Sequence, residues 1–231
     1  MEHPMPSCHQ IVYHTIRQRI RKFQYHPGEV IAIHPTAQGL GISPTPLREV
    51  LMRLFAEGLI DHHPNRGFFV NPITIDGILS HYELLNFALR YAVEKITNID
   101  DEERLSAITE SFYLKRIDCE NKDENTIYSE ELEDFYKKIL EIINNYQITN
   151  VIRVGIDQMH LVRCIDFSIR FDYRDHSIER RLFTDALRAR EKDAALAVID
   201  SSFKRRCAAA VDLYKEVIYR INDNNQIFIL P

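Results

Sequence analysis

Two short stretches of this chain place hydrogen-bonding and cationic side chains where they can meet a polyanion. Ser43-Pro-Thr-Pro-Leu-Arg-Glu-Val-Leu-Met-Arg53 puts Ser43, Thr45, Arg48 and Arg53 at the start and along the polar face of one helical segment. Pro64-Asn-Arg-Gly67 is a turn sequence whose tip carries Asn65, Arg66 and Gly67. A helix that presents Thr and Arg near its start can enter a major groove and read base edges. A basic hairpin tip beside it can reach the neighbouring groove or the phosphates. Taken singly, each residue is equally consistent with a solvated surface charge or ordinary turn chemistry. Their weight comes from falling together on one side of one small unit.

The elements that must position them are legible. Val12, Ile16, Ile20 and Phe23 form one helical stripe within residues 9–25, and His26-Pro-Gly28 ends it. Val30 to Ile33 reads as extended. Pro35–Leu40 reads as a short helix that Gly39 weakens by roughly 1 kcal/mol relative to Ala. Gly41-Ile42-Ser43 is a turn, and Ser43 is the expected N-cap, its hydroxyl accepting a backbone N–H. Pro44 and Pro46 fit a first turn, where no intrahelical donor is lost. Leu47, Val50, Leu51, Leu54 and Phe55 then supply a complete buried stripe, and Gly58 stops the helix. Residues 59–63 and 68–71 flank the Asn/Gly turn as a hairpin. Three helices followed by a hairpin is the winged helix-turn-helix order.

Composition sets outer bounds. With 231 residues, 45% of them hydrophobic, the chain can build two modest cores. Glycine is scarce and helical spacing dominates, so a mainly α protein is expected. No run of 18 apolar residues and no basic, apolar leader is present, so a cytoplasmic protein without a membrane segment is expected. Cys8, Cys119, Cys164 and Cys207 fit no zinc spacing and read as free thiols in a reducing compartment. The net charge of −5 is unevenly spread. Residues 1–74 carry +2 and seven of the ten histidines, while residues 75–231 carry −7. A head more basic than its acidic body is compatible with DNA contact through the head alone.

The motifs His26-Pro-Gly-Glu-Val30, Leu40-Gly-Ile-Ser-Pro-Thr-Pro-Leu-Arg-Glu-Val-Leu51, Leu54-Phe-Ala-Glu-Gly-Leu-Ile60 and Pro64-Asn-Arg-Gly-Phe-Phe-Val70 carry a resemblance. In order and spacing over residues 9–72 they resemble the GntR family of bacterial transcription regulators. The resemblance implies a DNA-binding winged helix at 1–72, a helical effector-binding and dimerisation domain at 73–231, and homodimers on palindromic double-stranded operators. It places Thr45 and Arg48 at base and phosphate contacts, Gly67 at the wing tip with Arg66 before it, and His34 near a basic contact. One departure stands out. The family usually has Arg after the serine, and here that residue is Pro44. Losing a bidentate donor to guanine costs roughly 1–3 kcal/mol of discrimination where it reads a base.

The remainder reads as an antiparallel bundle of about six helices. Thr74 caps a helix carrying Ile78, Tyr82, Leu85, Leu89, Ala92 and Ile96. Asp100 or Asp101 starts another with Leu105, Ile108 and Phe112 inward. Residues 119–126 are a polar break, and further helices fit 127–144, 148–169, 176–190 and 192–221, with a loop at 144–147. The apolar Ile227-Phe-Ile-Leu230 suits packing on a neighbour or an added edge strand.

Helix order and the segment Ile178-Glu-Arg-Arg-Leu-Phe-Thr-Asp-Ala-Leu187 resemble the FCD-type effector domain of the FadR subfamily. Many such domains hold a divalent metal through an Asp and three His. The matching positions here are Leu132, Tyr136, Arg180 and Ser202. None is a strong ligand, and a guanidinium repels a cation, so no metal cofactor is expected there. A different set, His160 and His176 with Asp134 or Glu133, keeps a metal site open if the helix phase differs. Without a metal, Arg180 is the candidate anchor for a carboxylate effector, through two parallel hydrogen bonds. Tyr136, His160 and Arg163 complete that candidate pocket.

No Gly-rich phosphate loop, nucleophile–base pair or convincing carboxylate pair supports an enzyme. A protein-interaction or ligand-binding module that has lost specific DNA binding remains the alternative, because Pro44 is unusual in a reading helix.

Overall fold

Side-chain caps open three of the helices, the first among them. In the computed structural model, which describes residues 7–113, 124–169 and 173–223, Ser7 and Gln10 form a reciprocal capping box at the start of α1 (Cys8–Arg21). Val12, Tyr13, Ile16 and Ile20 are its buried face. The helix ends four residues earlier than its apolar spacing predicts. Phe23 takes a left-handed φ of 54° and is only half-buried, while Tyr25 is carried into the core instead.

Two helices follow, α2 (Ile33–Gly39) and α3 (Pro44–Ala56), and then the antiparallel strands β1 (Ile60–His63) and β2 (Gly67–Val70). Ile60 faces Val70 and His63 faces Gly67, so Pro64, Asn65 and Arg66 form the tip. Residues 28–31 run along the free edge of β2. Ile31 donates to Phe68 O and Val70 donates to Glu29 O, each at 2.9 Å. The extended reading of 30–33 thus holds for Val30 and Ile31, and the chain is helical from Ile33. Ile16, Ile31, Leu47, Leu51, Leu54 and Ile60 are the most deeply buried side chains of this core. Phe55 departs from its expected place in the stripe. It is 38% exposed, its ring edge-on to His62 at 5.7 Å.

The chain divides into two units. The first comprises residues up to Ile73 together with Val154–Leu161, and the second comprises Thr74–Arg153 and the residues from Val162 onward. Residues 154–161, expected with the carboxy-terminal domain, therefore cluster with the amino-terminal one. Asp157 there is the acceptor for Arg17 Nε at 2.5 Å.

Among the described residues the second unit is wholly helical: α4 (Ile75–Thr97), α5 (Glu102–Phe112), α6 (Glu124–Ile143), α7 (Tyr146–Gln158, from Arg153 back), α8 (His160–Ile169, from Val162 on), α9 (Tyr173–Arg188) and α10 (Lys192–Asn222). Thr74 caps α4 by accepting from Gly77 N–H at 3.0 Å, and Asp101 caps α5 by accepting from Arg104 N–H at 3.0 Å. α4 and α10 run antiparallel, pinned by Arg90–Asp200 at 2.5 Å and by Glu94–Lys192.

Several boundaries differ from the sequence reading, the helix expected over 176–190 running from Tyr173 to Arg188 among them. Residues 124–126 join α6, Tyr146 and Gln147 open α7, and the single helix expected over 148–169 is broken at Met159. No Gly or Pro marks that break, so the periodicity carries no trace of it. Residues 119–123 of the expected polar break, Cys119 among them, and Ile227–Leu230 lie outside the described residues.

Candidate nucleic-acid interface and buried cavity

The exposed side of α3 is a consequence of its buried one. Leu47, Val50, Leu51 and Leu54 turn inward, which leaves Thr45, Arg48, Glu49, Met52 and Arg53 facing solvent. Ser43 occupies the N-cap position with extended backbone, but its side chain makes no capping bond. An N-cap oxygen accepts from the second or third helical N–H; the third residue is Pro46, which has none, and the N–H of Thr45 is not bonded by Ser43 either. The expected cap is corrected accordingly, and the exposed Ser43 hydroxyl is left outside the helix ladder.

Arg48 and Arg53 stand in different surroundings. Arg53 Nε donates to Glu57 at 2.9 Å, and its guanidinium sits 4.1 Å from the Tyr13 ring centroid. Tyr13 donates its hydroxyl to the same Glu57 at 2.6 Å, so α1 and α3 are clasped through one carboxylate. Burial first, and then that bond to Glu57, pushes the Tyr13 phenol up. The hydrogen bond to Glu57 likewise holds the Arg53 guanidinium up. Glu49, one residue after Arg48, meets His9 at 2.7 Å. That pairing and a basic concavity on α1 lined by His14, Arg19 and Lys22 were not singled out by sequence. His14, Gln18 and Lys22 fall at i, i+4 and i+8 along one helix face, the spacing that could have marked it.

At the wing, Asn65 takes φ 64° and Gly67 φ 98°. Both are left-handed conformations that Asn and Gly tolerate best. Arg66 is exposed at the tip, with its guanidinium 5.4 Å from the Phe69 ring centroid. His34 is exposed on α2.

In the second unit a cavity of about 60 Å³ opens among α4, α6, α9 and α10. Leu132, Tyr136, Arg180 and Ser202, the four positions where the FCD resemblance places metal ligands, all line it. A hydrocarbon, a phenol, a guanidinium and a hydroxyl do not fit a divalent cation. Among the described residues, no three His, Cys, Asp or Glu side chains gather as a metal would require. Asp134 is exposed and pairs with Lys137 at 2.8 Å, while Glu133 is buried against Arg163 at 2.5 Å.

Of the residues expected in an effector pocket, Tyr136 and Arg180 line this cavity, whereas His160 and Arg163 do not. Arg163 is occupied in the buried pair with Glu133, and His160 is buried within the segment that clusters with the first unit. Arg180 donates Nε to Phe112 O at 2.5 Å and lies 4.9 Å from the Phe135 ring centroid.

Sequence reasoning did not bring three lining residues to this cavity: Glu179, Arg206 and His176, the last considered only as a metal ligand with His160. A signal existed for two of them. His176 is one turn before Arg180 and Arg206 one turn after Ser202, so each shares a helix face with a position already identified.

Residues 9–70 match the family model of bacterial regulatory proteins of the gntR family. An uncharacterized HTH-type transcriptional regulator of Bacillus subtilis, YdhC, is 23% identical over 90% of this chain and 92% of its own length. The Nta operon transcriptional regulator of Aminobacter aminovorans is 26% identical over 88% of this chain and 94% of its own. Among solved structures, E. coli McbR/YncC superposes with a TM-score of 0.60 at 21% identity, over 91% of this chain and 100% of that one. That likeness bears on the fold.

Proposed function

This chain is a transcription regulator with a GntR-family DNA-binding domain, and from that premise we propose that it binds a palindromic operator as a homodimer and answers to a small organic acid. The observation that carries the reading is the division of α3, whose apolar face is buried while Thr45 and Arg48 face solvent. The exposed Arg66 of the wing belongs to the same unit. Thr45 and Arg48 supply base and phosphate contacts, and Ser43 and His34 phosphate contacts. Asn65, Arg66 and Gly67 enter the minor groove. Arg53 supports α3 through Glu57 and touches DNA only at its margin.

Pairing of two copies is supported by apolar side chains left outside the core. Ile178 and Leu182 lie one turn apart on α9, 55% and 54% exposed, and such strips are covered in symmetric oligomers.

The effector reading rests on the cavity. Arg180 stands where the resemblance places a metal-binding histidine, and a carboxylate held by a guanidinium needs no metal. The effector shifts operator affinity by binding the two orientations of the dimer unequally. No helix among the described residues is long and apolar enough to cross a membrane, and we place the protein in the cytoplasm.

A gel shift on the promoter of its own gene, at two salt concentrations, tests the DNA reading. Affinity falls steeply with salt, and Arg48→Ala weakens it by about 10- to 100-fold. Salt-insensitive binding, or an Arg48→Ala protein with wild-type affinity, overturns it.

A further inference from the structure

We propose that Met52 reads a base, and that what it recognises is the 5-methyl group of a thymine in each operator half-site. This rests on the DNA reading above and adds a specificity-determining residue and its target. Met52 is 47% exposed on α3. It follows Thr45 by seven residues and Arg48 by four, so the three share one face of the helix.

Their neighbours on that side are already engaged. Glu49 meets His9 at 2.7 Å, and Arg53 is held by Glu57 and by the Tyr13 ring. Pro44 and Pro46 carry no side-chain donor or acceptor. Among the described residues, the side chains of Thr45 and Arg48 have no hydrogen-bond or ion-pair partner. Thr45, Arg48 and Met52 are therefore the part of this face that is available to a base edge.

The three offer different chemistry. Arg48 supplies a fork of donors, and Thr45 a hydroxyl that donates or accepts. Met52 supplies a long, unbranched side chain with an apolar, polarisable end. Pressed against a base edge that carries only donors and acceptors, that end would cut polar groups off from water and leave them unpaired, which costs free energy. The thymine methyl is the one apolar group that any base pair presents in the major groove. Four residues of helix rise roughly 6 Å, against roughly 3.4 Å for each base-pair step. The thymine thus stands about two steps from the pair that Arg48 contacts.

Duplexes enriched by the full chain from a random library test the proposal. Each recurring thymine is replaced in turn by deoxyuridine, which removes the methyl and leaves every hydrogen bond in place. One such replacement per half-site lowers wild-type affinity about 3- to 5-fold. Met52→Ala binds the thymine and uracil duplexes alike at that position, and so does Met52→Gln, of similar length but polar at its end. Thr45→Ser, which removes the other exposed methyl of the face, keeps the uracil effect there. Because no phosphate contact is lost, Met52→Ala also keeps the wild-type salt slope.

A wild type indifferent to every uracil, Met52 variants as sensitive as the wild type, or a uracil effect abolished by Thr45→Ser overturns the role of Met52 and leaves the DNA reading standing. Failure to enrich any duplex overturns both. Met52 is exposed and Ala is the better helix former, so the Ala variant folds. Should it not, Met52→Gln and Thr45→Ser decide the matter.

Discussion

Every residue proposed to contact DNA lies between His34 and Gly67, on elements joined by turns of a few residues. The cavity instead takes Leu89 from α4, Tyr136 from α6, Arg180 from α9 and Arg206 from α10. One surface is exposed and held in place by an apolar stripe beneath it. The other lies between helices and holds Arg180 and His176 away from water, with Glu179 and Arg206 partly exposed. Exposed chemistry can be exchanged with little loss of stability, whereas enclosed chemistry is coupled to folding and to pH.

The largest expected effect strikes the stripe. Leu51 is fully buried, and Leu51→Ala costs about 2–5 kcal/mol through the cavity it leaves. Hydrogen exchange of residues 8–70 should accelerate while α4 and α10 stay protected. Equal acceleration throughout would erase the distinction between the two units.

Acid should strike the other unit. Buried His81 and His176 are both pushed down to about 3, by desolvation first and then by neighbouring arginines. Above pH 6.5 they are neutral folded or unfolded, and they add no pH dependence. Below 6.5 the unfolded chain takes up protons that the folded chain refuses, so stability falls on the order of 1 kcal/mol per pH unit for each histidine. Tm measured from pH 7 to pH 4.5 should drop, and His81→Gln with His176→Gln should flatten the drop.

A smaller contrast lies within α3. Arg53→Ala removes an exposed pair with Glu57, worth about 0.2–1 kcal/mol. It should lower Tm slightly and change operator affinity less than Arg48→Ala does. The reverse order in a binding titration would make Arg53 the reading residue. Smallest of all is Ser43→Ala. Loss of a working N-cap costs about 1 kcal/mol, but Ser43 makes no capping bond. A change of at most a few tenths in a denaturant titration is expected, with a weaker grip on DNA.

The amino-terminal unit was legible because its signals are local. The i, i+3, i+4 spacing from Leu47 to Leu54 defines which face of α3 is buried, and thereby which residues face solvent. The Asn65–Gly67 turn follows from two residues that accept positive φ. Failures there were local as well. Phe55 sits at the end of the stripe, where the helix leaves the core, and Ser43 makes no capping bond, the prolines at 44 and 46 leaving Thr45 the sole N–H donor of the first three helical residues.

In the bundle, periodicity located helices but not their partners. It could not show that Arg163 is drawn to Glu133, 30 residues away, or that α7 and α8 part at Met159. By itself, then, the order of residues determined the winged domain, the helical class and the exposed face of α3, since each depends on neighbours within about two turns. Only the tertiary structure decided that His176, Glu179 and Arg206 join Tyr136 and Arg180 around one cavity. Charges on separate helices meet only through the phase and tilt at which those helices pack, and no spacing along one helix records either.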